Sequence, residues 1–362
     1  MCGFRRTTLR QHDWSGLVQL PGGGQPMTTM QDVAQRAGVS IATASRVLNE
    51  VSTVDPALAE RVRAAVKELD YRPNAVARSL RRNQSSLWAV IVSDIGNPFF
   101  TALVRGIEDV AQSKGFSVVL CNSDEEPGKE DQYLKVAAAE KMAGVIISSS
   151  GRSHQLRSLV EAGTPVVAID RRLSDADVDM VLVDNERGAQ LATEHLVDAG
   201  FRRIACISGP RRLSTAADRL RGYKSGLAAR GIAVDESLIR LADFREEGGY
   251  QAMTALLELP EPPDAVFGAN NMMTIGAVEC LADRSIKIPT EMGVVGFDEI
   301  PWAHLVRPSL TTVRQPTYEV GRTAALLLSE RIAAPGRPRS VVSLVTELQI
   351  RKSSQRLELA DR

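Results

Sequence analysis

Residues 28–49 read TTMQDVAQRAGVSIATASRVLN, two short apolar-periodic stretches on either side of Gly38. Met30, Val33, Ala34 and Ala37 fall at helical spacing in the first stretch, and Ala44, Val47 and Leu48 do so in the second. Ser40 stands where it can cap the second helix. Two helices joined by a turn of about three or four residues containing Gly form a helix-turn-helix, which lays its second helix in the DNA major groove. The polar residues agree. Ser40, Thr43, Ser45, Arg46 and Asn49 crowd the second helix. A face that only had to be soluble would favour Glu and Lys, which form helix better. Hydroxyls and guanidinium groups are what phosphate oxygens and base edges bind. The alternative is an ordinary amphipathic hairpin with solvated polar residues.

The next residues favour DNA. Asp55-Pro56 is a helix start, with Asp at the cap and Pro at the first helical position. Leu58, Val62, Ala65, Val66 and Leu69 then make one apolar stripe. Three such helices form a small bundle with the size of a DNA-binding headpiece. Residues 71–86, YRPNAVARSLRRNQSS, begin at a Pro stop, show brief helical character and end polar and basic.

On the headpiece motif D-V-A-x-x-A-G-V-S-x-x-T-x-S-R-V-L-N and the YRPNAVARSLR segment, the chain resembles the LacI/GalR family of bacterial transcription regulators, from about residue 28 to about 353. Ala44 departs from the usual Val, a loss of two methyl groups on a face expected to be buried. The resemblance implies that Ile41, Ala42 and Arg46 occupy base-reading positions, and that Ser40, Thr43, Ser45 and Asn49 anchor phosphates. Ile41 and Ala42 can read only shape and thymine methyls, so hydrogen-bonded readout falls to Arg46. Residues 74–82 would form a hinge helix on the DNA, with Asn74 and Ala77 in contact and Leu80 as a minor-groove wedge that unstacks a base step.

Composition sets bounds. A chain of 362 residues, 44% apolar and 24% charged, has room for two or three domains with substantial cores. No run of 18 apolar residues occurs, so no transmembrane helix is expected. Net charge is zero, but residues 1–87 carry 12 Lys/Arg against 7 Asp/Glu, while the remainder carries 32 against 37. The basic end is the helix-turn-helix end, as phosphate binding requires. Cys2, Cys121, Cys206 and Cys280 are far apart without a CxxC pair, which reads as free thiols in a reducing cytoplasm rather than a disulfide framework or zinc site. Residues 1–26 lack an apolar core of signal-peptide length and read as a disordered extension, with Met27 a plausible start. Gly22-Gly23-Gly24 follows no strand, so it is not read as a phosphate loop.

From Trp88 the pattern becomes strand–helix alternation. Apolar strands are expected at 88–93, 116–121, 143–148, 165–169, 181–183, 203–208, 264–268 and 293–297, separated by amphipathic stretches. This implies an α/β fold with parallel sheets covered on both faces. Halves near 88–184 and 187–313 fit two doubly wound lobes, and the resemblance supplies the architecture, a type I periplasmic-binding-protein-like core. The expected organisation is an extension at 1–26, a headpiece at 27–73, a hinge and linker at 74–86, a core at 87–353 and a tail at 354–362. Within the core, lobe 1 takes about 87–185 and 316–346, and lobe 2 about 186–315 and 347–353. Residues 317–334 would form a helix returning to the first lobe.

Ligands bind such sheets at the carboxyl ends of the strands. The polar residues there match ligand positions of the family: Asn97, Phe99 and Phe100 after the first strand, Asp170-Arg171 after another, Arg219 in DRLRG with Gly222, Asn270 after AVFGA, Asp298 after VVGF, and Gln315 after LTTVR. Asp and Asn pair with vicinal hydroxyls, Arg offers a planar fork of donors and a Phe ring can face a sugar. The set resembles pentose-type monosaccharide sites, and Arg171 with Arg172 leaves room for a sugar acid. Asn271 stands where the family has Asp.

The expected protein is therefore a homodimeric cytoplasmic repressor. It binds a palindromic DNA operator and is released by a small carbohydrate, with no cofactor, metal or membrane partner. A purine or a phosphorylated metabolite acting as co-repressor is the narrower rival. An enzyme is disfavoured, because His12, His154, His195 and His304 form no nucleophile–base arrangement and no GxSxG or GxGxxG motif follows a strand. A transport receptor would need a signal peptide and no helix-turn-helix.

Overall fold

The computed structural model describes residues 28–48, 54–71, 85–151, 153–174 and 176–356. The chain forms two compact units. The described part of the first is a bundle of α1 (Met30–Ala37), α2 (Ile41–Leu48) and α3 (Pro56–Glu68). Local chemistry sets each boundary. At the start of α1, Thr29 Oγ1 accepts from Asp32 N at 3.3 Å and Asp32 Oδ2 accepts from Thr29 N at 2.7 Å, a reciprocal capping box. Gly38 ends the helix at φ 61°, in the left-handed region. Ser40 Oγ caps α2 by accepting from Thr43 N at 3.1 Å. Asp55 Oδ1 caps α3 by accepting from Ala57 N at 2.8 Å. Val33, Ala34, Ala37, Ala44, Val47, Ala59, Val62, Ala65 and Tyr71 form the core, with Met30, Val66 and Leu69 against it. Arg61 Nη2 donates to Gly38 O at 3.2 Å, holding the turn from α3.

The second unit contains two six-stranded sheets. In lobe 1, β1 (Leu87–Val92), β2 (Ser117–Asn122), β3 (Gly144–Ile147), β4 (Val166–Ile169), β5 (Asp179–Val183) and β11 (Val341–Leu344) lie in the order β11-β5-β4-β3-β1-β2, all parallel. The strand residues are almost wholly apolar and split between two cores. Val90, Val92, Ile146 and Val167 face α4 (Pro98–Ser113) and α11 (Thr317–Ala333). Ala89, Ile91, Val145 and Ile147 face α5 (Pro127–Ala139) and α6 (His154–Glu161). Burial on both sides is why these strands read as continuous apolar runs.

Lobe 2 repeats the design. Strands β6 (Ile204–Ser208), β7 (Ile239–Leu241), β8 (Ala265–Gly268), β9 (Gly293–Phe297), β10 (Thr311–Arg314) and β12 (Glu347–Gln349) run in the order β12-β10-β9-β8-β6-β7, with only β12 antiparallel to its neighbour. The helices are α7 (Asn185–Asp198), α8 (Ser214–Ala229), α9 (Glu246–Leu257) and α10 (Asn271–Asp283). The chain passes between the sheets after β5, after β10 and after β11. Gly222 lets α8 lie on α7, since a Cβ there would sit 2.1 Å from Glu186 O.

The sequence reading omits β7, β10, β11 and β12. All are three or four residues long, and β7, β11 and β12 are edge strands with exposed positions, so the apolar-run criterion passes over them. Two boundaries also move. Ser85 and Ser86, assigned to the linker, already pair with lobe 1: Ser85 N donates to Lys141 O at 2.9 Å and Ser117 N donates to Ser86 O at 3.0 Å. Ser354, assigned to the tail, is fully buried against His195 and Thr311, with 2.7 Å from its Oγ to His195 Nε2 and 2.6 Å to Thr311 Oγ1. This Ser–His contact is structural and lies outside the cleft described below. The extension at 1–26 and the hinge helix at 74–82 fall outside the described residues.

Candidate ligand cleft and nucleic-acid face

The expected ligand residues sit at or shortly past strand ends, except Arg219, which lies inside α8. Asn97 caps α4, with its Oδ1 accepting from Phe99 N at 3.0 Å. Phe99 and Phe100 stand edge to face with centroids 4.9 Å apart, and both also belong to the lobe 1 core. Asp170 follows β4 at φ 64° and Asp298 follows β9 at φ 72°, so each lobe presents a carboxylate from a left-handed residue. Asp tolerates that conformation at a cost the surrounding packing must cover. Asn270 caps α10, accepting from Met273 N at 2.8 Å and donating to Phe244 O at 3.0 Å.

Asn97, Phe99, Phe100, Asp170, Arg171, Arg219, Asn270 and Asp298 line one cleft of about 480 Å³, including its open mouth. Gln315 does not line it but supports Asp298, donating from Nε2 to Oδ1.

The two arginines are held by different partners. Arg219 Nε donates to Asn185 Oδ1 at 2.8 Å and its Nη1 to Ala269 O at 2.8 Å, with Asp298 Oδ2 at 3.5 Å and the Phe297 ring centroid 3.8 Å from the guanidinium carbon. Arg171 is gripped by Glu125 through both terminal nitrogens, and its Nε is 3.5 Å from Asp170 Oδ2. Burial pushes the Asp170 carboxyl above its ordinary range, and Arg171 and Arg219 only partly oppose that shift. Arg172 is engaged by Asp218 Oδ1 at 2.5 Å.

Contacts also cross the cleft. Arg172 N donates to Ser214 Oγ at 2.9 Å, Arg245 Nη2 to Asp124 O at 3.2 Å, and Asn271 Nδ2 to Asn97 Oδ1 at 2.8 Å. The last explains the chemistry of Asn271. Asn97 Oδ1 is oriented by the cap, and a carboxylate at 271 would have no proton to donate to it.

Sequence reasoning misses Glu125, Thr215, Asp243, Phe244 and Arg245, which also line the cleft, as does Asp94 after the first strand. Phe244 and its neighbours follow β7, so they were lost with that strand. Glu125 follows β2, where the strand-end rule applies and would find it.

In the headpiece, Ser40, Ile41, Ala42 and Arg46 are exposed, with Ile41 at 47%, and Thr43 and Ser45 are half-buried. Ala44 and Val47 point into the bundle. An apolar pair left in solvent beside an Arg, on the second helix of this motif, has the composition of a base-reading face. Asn49, Asn74, Ala77 and Leu80 lie outside the described residues. Among the described residues, no helix is long and apolar enough to cross a membrane, and no cluster of three His, Cys, Asp or Glu is arranged to hold a metal. Cys121, Cys206 and Cys280 are buried free thiols.

A helix-turn-helix unit and a two-lobed core with a polar cleft at its strand ends define a ligand-responsive transcription regulator. Two family profiles match, bacterial regulatory proteins of the lacI family over residues 29–74, and periplasmic binding proteins and sugar binding domain of LacI family over residues 85–352. The chain belongs to the LacI family of bacterial regulators. It is 37% identical over 329 residues to the ribose operon repressor of Halalkalibacterium halodurans, covering 91% of this chain and 98% of that one. It is 33% identical over 329 residues to the HTH-type transcriptional repressor PurR of Photobacterium profundum, covering 90% and 98%. The lac repressor dimer bound to operator and the anti-inducer ONPF superposes with a TM-score of 0.80 at 28% identity, covering 91% of this chain and 99% of that one.

Proposed function

We propose that the chain is a homodimeric cytoplasmic repressor that binds a palindromic operator and is released by a monosaccharide of the ribose type held between its lobes. One observation carries the reading: residues chosen for sugar chemistry, drawn from both lobes, line a single cleft. Paired carboxylates, amides and guanidinium groups beside aromatic rings suit a small polyol, whose hydroxyls both donate and accept. The ribose operon repressor relative supports the same class. The cleft binds and releases its ligand without chemical turnover. On the headpiece, Ser40, Ile41, Ala42, Thr43, Ser45 and Arg46 touch the operator, together with Asn49 and the hinge positions Asn74, Ala77 and Leu80.

Ligand acts by preferring one lobe arrangement over another, since equal binding to both would shift nothing. A second reading, a purine effector, draws on Phe244, a further aromatic in the cleft, and on the PurR relative. Calorimetry of the full chain with D-ribose and with hypoxanthine separates them. Heat of binding with D-ribose alone is expected; binding of hypoxanthine alone would replace the sugar with a purine.

A further inference from the structure

Glu125 reaches the cleft from a left-handed turn. Asp124 and Glu125 both adopt positive φ, 53° and 62°, directly after β2. Glu125 N donates to Ser93 O at 3.1 Å, which fixes the turn to β1. The turn aims the carboxylate at Arg171, where Nη1 donates to Oε2 at 2.8 Å and Nη2 donates to Oε1. Both side chains are largely removed from water, 5% exposed for Arg171 and 17% for Glu125. Arg171 Nη1 also reaches Ser149 O at 3.3 Å, and its Nε faces Asp170.

This is the fork geometry with which an arginine takes a carboxylate or phosphate from a ligand. Here the chain itself supplies the anion. The rest of the cleft adds to the effect. Asp94, Glu125, Asp170, Asp243 and Asp298 line it against Arg171, Arg219 and Arg245. Arg219 gives Nε to Asn185 and Nη1 to Ala269, with Asp298 beside it, so much of its fork is already held by the chain. A ligand anion would enter a water-poor site with excess negative charge and would have to displace Glu125 from Arg171, leaving one carboxylate unpaired.

We propose that Glu125 is a specificity-determining residue: its carboxylate fills the Arg171 fork and restricts the cleft to uncharged effectors. The proposal rests on the carbohydrate reading above and narrows it, setting aside sugar acids and phosphorylated sugars. Replacement by glutamine keeps the size of the side chain and one acceptor oxygen, but removes the charge and frees part of the fork.

The test is calorimetry on the full chain, wild type and Glu125→Gln, with D-ribose, D-ribonate and D-ribose 5-phosphate, and with thermal unfolding to compare the two folds. Wild type is expected to bind D-ribose at least tenfold more tightly than either anion. In Glu125→Gln that ratio is expected to fall at least tenfold for D-ribonate, with a ribonate affinity that drops as salt is added. Wild type binding D-ribonate or D-ribose 5-phosphate as tightly as D-ribose would overturn the proposal while leaving the carbohydrate reading standing. So would a Glu125→Gln protein that weakens all three ligands alike, because that is a structural effect. No binding of any of the three to wild type would overturn the carbohydrate reading, and this proposal with it.

Discussion

Replacing Arg219 with Ala removes a buried cation of the cleft. The guanidinium is lost from Asn185 Oδ1 and Ala269 O, both at 2.8 Å, from Asp298 at 3.5 Å and from the face of Phe297. Arg219 and Asp298 are 4% and 6% exposed as side chains, so water does not replace the lost partner freely. Breaking a buried pair from one side costs about 3–5 kcal/mol, because the remaining charge stays buried without compensation. The orphaned acceptors overlap with that figure and are not added to it. Arg219→Ala should therefore lose about 3–5 kcal/mol of core stability. Adding Asp298→Asn removes the stranded charge, so the double variant should be less destabilised than the sum of the singles, by about 0.5–3 kcal/mol. Urea unfolding followed by far-UV circular dichroism gives all four corners of the cycle. At temperatures where Arg219→Ala stays folded, D-ribose should no longer bind and DNA binding should persist, since the headpiece has its own core. A loss under about 1 kcal/mol, or strict additivity with Asp298→Asn, would refute the claim that this pair is buried and coupled.

Two further outcomes are expected. Burial raises the Asp170 carboxyl, so the folded state favours its protonated form. The stability this gives is present below the ordinary carboxylate range and is lost as pH rises through the folded value. Wild type should thus fall in thermal stability relative to Asp170→Asn as pH rises from about 4 to about 7, and a difference that is flat with pH would contradict it. Gly222→Ala would put a Cβ 2.1 Å from Glu186 O and 2.8 Å from Ala189 Cβ. It should cost at least about 1–3 kcal/mol and weaken D-ribose binding, because Arg219 is one turn away on the same helix; an unchanged melting temperature would mean that α7 and α8 separate freely.

Much of the fold was legible because lobe strands buried on both faces leave unbroken apolar runs such as WAVIV and GVVGF. The headpiece was legible because its turn and caps, Gly38, Ser40 and Asp55, are residues suited to one local geometry. Edge strands escaped for the opposite reason: β7, with the sequence IRL, is half wet and carries no run. Most of the ligand residues are legible by position, as groups shortly past strand ends, whereas Arg219, inside α8, rests on the resemblance to the family. Their partners were not, because the grip of Glu125 on Arg171 spans 46 residues and depends on two left-handed residues that no local pattern announces. Asn271 was visible as a departure from the family, but its meaning needed Asn97 from the other lobe.

The central claim is that sugar in the cleft controls the DNA affinity of the headpiece. A palindromic duplex recovered by selection from a random pool, labelled and titrated with the full chain by fluorescence anisotropy with and without D-ribose, measures that coupling. The account predicts that saturating D-ribose weakens duplex binding by about 5–150-fold, the range of a coupling of about 1–3 kcal/mol. D-ribose that binds the chain yet leaves duplex affinity unchanged would contradict it.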